Sequence, residues 1–99
     1  MKVPGVKPPE PGKAIRVSVE GVPVAVFNEG GLLLGVSARC THAGGPIDKG
    51  PVQGMIVTCP LHGSQFDLRT GALVRGPAMQ PLKSYRVQAE ADGLVVDPA

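Results

Sequence analysis

Alternation between apolar and polar positions dominates this chain. Ile15, Val17 and Val19 alternate with Arg16, Ser18 and Glu20, which predicts a strand with one buried face. Gly21 interrupts the pattern, and Val22, Val24 and Val26 resume it, followed by Phe27. Pro23 places this second strand either at a sheet edge or at a strand start, because proline has no N–H to give a ladder. Asn28-Glu29-Gly30-Gly31 reads as a turn and Leu32 to Val36 as the next strand, completing a β-meander. Val52 to Thr58 predicts one strand, with Met55 and Val57 on one face and Ile56 on the other. Phe66 to Leu68 and Ala72 to Val74 flank Arg69-Thr70-Gly71 as a hairpin. Leu82 to Glu90 predicts a long strand with Tyr85, Val87 and Ala89 on one face; Asp92-Gly93 signals a hairpin from which Leu94 to Val96 pairs back. Ile47 to Pro51 reads as a turn, and Gly76 to Pro81 holds too many breakers for a strand. Residues 1–12, with Pro4, Pro8, Pro9 and Pro11, read as an irregular or polyproline-like arm. No segment carries helical periodicity, so the expected fold class is all-β.

Composition narrows the picture. The 99 residues make one domain, and aromatics are only 3% with no Trp, so valine, leucine and alanine must build the core. A fold this small often borrows stability from a metal. Gly 14 and Pro 11 lie between valine-rich runs, which means many turns rather than disorder. The formal charge of +2 comes from interspersed signs and argues for neither nucleic acid nor an anionic membrane as partner. No run of 18 apolar residues exists and the first residues lack an apolar leader core, so the expectation is a cytoplasmic chain with no membrane span.

The candidate chemistry sits in two short loops, Cys40-Thr41-His42-Ala43-Gly44-Gly45-Pro46 and Cys59-Pro60-Leu61-His62-Gly63-Ser64. They hold all 2 Cys and 2 His of the chain, as C-x-H, then 16 residues, then C-x-x-H. Thiolate and imidazole are metal ligands, and such spacings let one loop offer both to a single site. A closed tetrahedral zinc site and a two-iron, two-sulfide cluster are the leading candidates; a disulfide is a third, disfavoured in a reducing compartment. Inorganic sulfides need backbone N–H donors around them. Gly44, Gly45 and Gly63 let backbone approach closely, and Pro46 and Pro60 fix φ beside them, which favours the cluster.

C-T-H-x-G-G followed by C-P-L-H-G-S-x-F-D resembles the Rieske iron–sulfur domain, in particular the small Rieske-type ferredoxins. Phe66 to Gly71, Gly76-Pro77-Ala78 and Pro81-Leu82 extend the resemblance, which covers about residues 13–97. It implies a base of antiparallel sheets from residues 1–38 and 75–99, with a cluster-binding lobe, residues 39–74, inserted between them. It implies a [2Fe–2S] cluster with Cys40 and Cys59 on one iron and His42 and His62 on the other. Gly44, Gly45, Gly63, Ser64, Phe66 and Pro77 would surround it, Ser64 donating to sulfur and the Pro77 loop shielding the cluster. High-potential members carry a tyrosine where this chain has Phe66, and a disulfide at the positions of Gly45 and Leu61. The resemblance is therefore to the ferredoxin type, at intermediate-to-low potential.

The function it implies is one-electron transfer from a reductase to an acceptor such as a terminal ring-hydroxylating oxygenase, by a monomer with no catalysis of its own. Two alternatives stand beside it: a small subunit of a larger oxidoreductase of the nitrite-reductase type, and a structural zinc module for protein contacts. Pro60 and Leu61 would give an apolar rim for docking. Arg39, Lys49, Arg69 and Arg75 outnumber Asp48 and Asp67 around the loops, which points to an acidic partner.

Overall fold

The computed structural model describes residues 1–99. Ten strands run β1 (Lys2–Pro4), β2 (Ala14–Val19), β3 (Val22–Glu29), β4 (Leu32–Ser37), β5 (Val52–Gln53), β6 (Ile56–Thr58), β7 (Gln65–Asp67), β8 (Leu73–Arg75), β9 (Ser84–Glu90) and β10 (Gly93–Pro98). They form two antiparallel sheets, ordered β1-β10-β9-β4-β3-β2 and β5-β6-β7-β8. The edge strands β1 and β2 of the larger sheet touch each other, so that sheet curls almost into a barrel.

The meander arises where the alternation places it, and its turns are tight. Gly30 and Gly31, at φ 65° and 95°, form the two-residue loop between β3 and β4, the left-handed geometry that matches strand twist. Pro23 stands at the start of β3, and β3 is an inner strand, so the strand-start reading of that proline holds and the edge reading does not.

Burial runs deeper than one-faced alternation predicts. Val24 and Val26 point into the curl of the large sheet, with Val17, Val19, Tyr85, Leu94 and Val96. Ala25 and Phe27, on the opposite face of the same strand, are equally buried, against Ile47, Phe66 and Leu68. The second sheet covers the outer face of the first, and the small side chain of Ala25 gave no sign of this on its own.

Four further expectations are corrected. Lys2–Pro4 is an edge strand paired with β10, rather than part of an irregular arm: Val3 sits opposite Leu94, and Pro4 closes the strand where its missing N–H costs nothing. The single strand expected from Val52 to Thr58 is a hairpin, β5 and β6, because Gly54 and Met55 both take positive φ, 60° and 67°. Ile47–Lys49 is one turn of 3-10 helix rather than a simple turn. The β9–β10 loop is Ala91-Asp92, one residue earlier than the Asp-Gly signal suggested.

Candidate metal centre

The two motif loops share one backbone frame. In the first, the Cys40 N–H donates to the Gly45 carbonyl (2.9 Å) and the Gly44 N–H donates back to the Cys40 carbonyl (2.8 Å). In the second, the Cys59 N–H donates to the Ser64 carbonyl (2.7 Å) and the Gly63 N–H to the Cys59 carbonyl (3.1 Å). Each loop thus leaves its cysteine, closes five residues on, and turns at a glycine of φ 70° or 80°. The sequence shows the two glycines but not this repeated frame, because His falls two residues after one Cys and three after the other.

The loops are held at their stems. Arg39 bridges Pro46 across the first, and the Ile47 N–H donates to the Ala38 carbonyl at 2.9 Å. Thr58 and Gln65 pair across the second, and Gln65 pairs in turn with Arg75. Arg16 on β2 reaches from the large sheet to Asp48, Nη2 to Oδ1 at 2.7 Å, and to the Ala38 carbonyl at 3.4 Å. Sequence reading missed this clamp: Arg16 looked like an ordinary outward position of an alternating strand.

Residues 76–81 lie as a strap joined to both loops. The Thr41 hydroxyl donates to the Gln80 carbonyl at 2.7 Å, and the Ala78 N–H donates to Ser64 Oγ at 3.0 Å. Ser64 is fully buried, as is Phe66, whose ring packs in the core beside Cys59 and Leu68. Since Ser64 Oγ accepts the strap's N–H, its own proton is free to point elsewhere.

Within this frame the four sequence-predicted ligands separate by type. Cys40 and Cys59 are buried free thiols in the core between the sheets. His42 and His62 are exposed, ring against ring, with centroids 4.9 Å apart and planes at 82°. Burial pushes the Cys59 thiol up from its ordinary value; the N–H groups of Leu61 and His62 pull it down, while neighbouring Cys40 adds to the rise. A soft cation that displaces the thiol protons would remove this cost.

A two-metal group with bridging sulfide fits this arrangement. No three His, Cys, Asp or Glu side chains gather as the ligands of one ion would. The donors instead form a thiol pair inside and an imidazole pair outside. Space around the thiols is reserved: a Cβ on Gly45 would lie 2.6 Å from Cys59 Sγ. Leu61 flanks the same spot, at 3.0 Å from that Cβ to its Cγ. Gly45 and Leu61, the positions that hold a disulfide in high-potential Rieske proteins, are therefore neighbours here without any sulfur to join them.

The sequence profile described as the Rieske [2Fe-2S] domain matches residues 2–86. The chain belongs to the Rieske [2Fe–2S] domain family. The biphenyl dioxygenase ferredoxin subunit of Pseudomonas sp. (strain KKS102) is 35% identical over 88 residues, 88% of this chain and 81% of that one. The ferredoxin of carbazole 1,9a-dioxygenase from Nocardioides aromaticivorans IC177 superposes with a TM-score of 0.88 at 29% identity, over 99% of this chain and 98% of that one. A complex of reduced oxygenase and oxidized ferredoxin in carbazole 1,9a-dioxygenase matches with a TM-score of 0.82 at 29% identity, over 97% of this chain and 99% of that one. The Rieske fold expected from the motif is thus the observed fold, and the cofactor of the family is a [2Fe–2S] cluster. No helix is long and apolar enough to cross a membrane.

Proposed function

We propose that this Rieske protein is a one-electron carrier in which Cys40 and Cys59 hold one iron of the cluster and His42 and His62 the other. One observation carries the ligand assignment: two loops of identical hydrogen-bond frame set a buried thiol pair behind an exposed imidazole pair. When bound, the cluster takes up and gives up one electron. The chain's own residues do the rest. The glycine-turned loops fix the four donors, Gly45 keeps the space beside Cys59 open, and Ser64 ties the Pro77 strap to the second loop. The strap is bonded to both ligand loops, and the histidine side faces out, which leaves a short electron path to a partner.

The surface beside the histidines suits brief protein contact. Leu61 is 53% exposed and Met79, on the strap, 87%. The partners proposed are a reductase that supplies the electron and an oxygenase that accepts it. The likeness to a biphenyl dioxygenase ferredoxin subunit supports this, as does the carbazole 1,9a-dioxygenase complex. We also propose that residues 1–38 and 75–99 act as a rigid base for the lobe 39–74, in a monomeric, cytoplasmic protein. Arg75 belongs to the last strand of the smaller sheet, so the lobe's hydrogen bonding runs one residue past that boundary.

Iron and acid-labile sulfide analysis of the purified protein tests the reading. Two of each per chain, with a visible spectrum that dithionite bleaches by one electron, is the expected result. One zinc and no iron per chain would overturn it.

A further inference from the structure

Charge is distributed unevenly over this molecule. Asp48 and Asp67 are the only acidic residues between positions 38 and 83, and both are neutralised. Asp48 is held by Arg16 at 2.7 Å and Asp67 by Arg69 at 2.9 Å. The same span holds Arg39, Lys49, Arg75 and Lys83, all exposed and none within reach of a carboxylate. Two of these stand at the stems of the ligand loops. Arg39 directly precedes Cys40 and bridges Pro46, and Arg75 completes the ladder Thr58–Gln65–Arg75 beneath Cys59 and His62. The remaining acids, Glu10, Glu20, Glu29, Glu90, Asp92 and Asp97, all lie in the large sheet, its turns and the N-terminal segment.

A modest net charge therefore conceals a positive ligand-loop end. Charges at the loop stems act on whatever approaches the histidines in a salt-dependent way, because exposed charges are screened beyond about 8 Å at physiological salt. Such placement steers encounter and selects partner orientation more than it adds affinity.

We propose that the ligand-loop end is a docking face for a redox protein whose own contact face is acidic, with Arg39 and Arg75 as the orienting charges. The proposal rests on the electron-carrier reading above and adds the chemistry of the partner's surface.

Two small one-electron oxidants of opposite charge serve as probes. Dithionite-reduced holoprotein is mixed by stopped flow with hexacyanoferrate(III) or with hexaammineruthenium(III); the cluster loses one electron and the probe gains it. Salt is raised from low ionic strength to about 0.3 M, where the Debye length is well below 10 Å. The rate with the anion is expected to fall about tenfold and the rate with the cation to rise. Arg39→Gln/Arg75→Gln should lose most of this dependence. Lys7→Gln/Arg86→Gln removes the same charge from exposed sites on the large-sheet side and should keep it. Equal losses in the two double variants, or salt-independent rates in the wild type, would overturn the docking proposal. A protein with no iron–sulfur absorbance to bleach would overturn the electron-carrier reading itself.

Discussion

Gly45→Ala is the sharpest test of the site's geometry. Gly45 is buried and its φ lies outside the left-handed region, so its backbone accepts an alanine without strain. Space is what fails. The added Cβ would sit 2.6 Å from Cys59 Sγ, where an optimal heavy-atom contact is about 3.5–4.0 Å, so the sulfur must retreat by about 1 Å. Leu61 Cγ and Cδ1, at 3.0 and 3.1 Å from the same Cβ, block the alternative movement. Overpacking of this kind costs about 1–3 kcal/mol, which a folded domain survives. Metal ligation does not survive it as well, because ligand distances hold to within about 0.2 Å. Gly54→Ala, in the β5–β6 turn outside both ligand loops, is the control. Its Cβ meets nothing within 4 Å, but φ is +60°, so it costs about 1–2 kcal/mol of backbone strain and leaves the sulfur alone. Iron and sulfide per chain, visible circular dichroism and the melting temperature are measured on both. Gly45→Ala should fold yet hold only a small fraction of wild-type iron; Gly54→Ala should melt lower and keep its iron. Full iron with an unchanged spectrum in Gly45→Ala would refute the argument, as would equal iron loss in both.

Three more outcomes follow from named contacts. Ser64→Ala strands the buried Ala78 N–H, a cost of about 1–3 kcal/mol, and should lower both the melting temperature and the reduction potential; an unchanged potential would show that the hydroxyl proton does not serve the cluster. Arg16→Met leaves Asp48 without its cation. Since the Arg16 side chain is 40% exposed, about 1 kcal/mol of stability in urea unfolding is the expected loss, and no measurable change would remove the clamp from the account. The Arg69 guanidinium holds the Asp67 carboxyl below the usual carboxylate range. A depressed carboxyl contributes stability above its unfolded value and loses it as pH falls through the lower folded value. Arg69→Gln should therefore be less stable than wild type at neutral pH, with the gap closing in acid; a gap that widens in acid would contradict the assignment.

Much of this molecule is legible in its sequence, for local reasons. The meander is written in period-two alternation, and the ligand loops in the placement of every Cys and His beside glycine and proline. What escaped depends on tertiary partners. Lys2–Pro4 has too few residues to show a period, and only the edge of β10 makes it a strand. Met55 in a left-handed turn is a rare choice that no propensity predicts. The second buried face of β3 comes from the smaller sheet lying on it, which Ala25 permits by being small. In the site, residue types pointed to the ligands, but the clamp from Arg16 and the reserved space at Gly45 exist only between segments distant in the chain.

The central claim is the division of ligands, thiols on one iron and imidazoles on the other. Hyperfine spectroscopy of the dithionite-reduced protein, grown with nitrogen-15 histidine, tests it most directly. The account predicts strong coupling to two histidine nitrogens that changes with the label and is lost when His42 or His62 is replaced by Cys. A paramagnetic cluster with no coupled histidine nitrogen would contradict it.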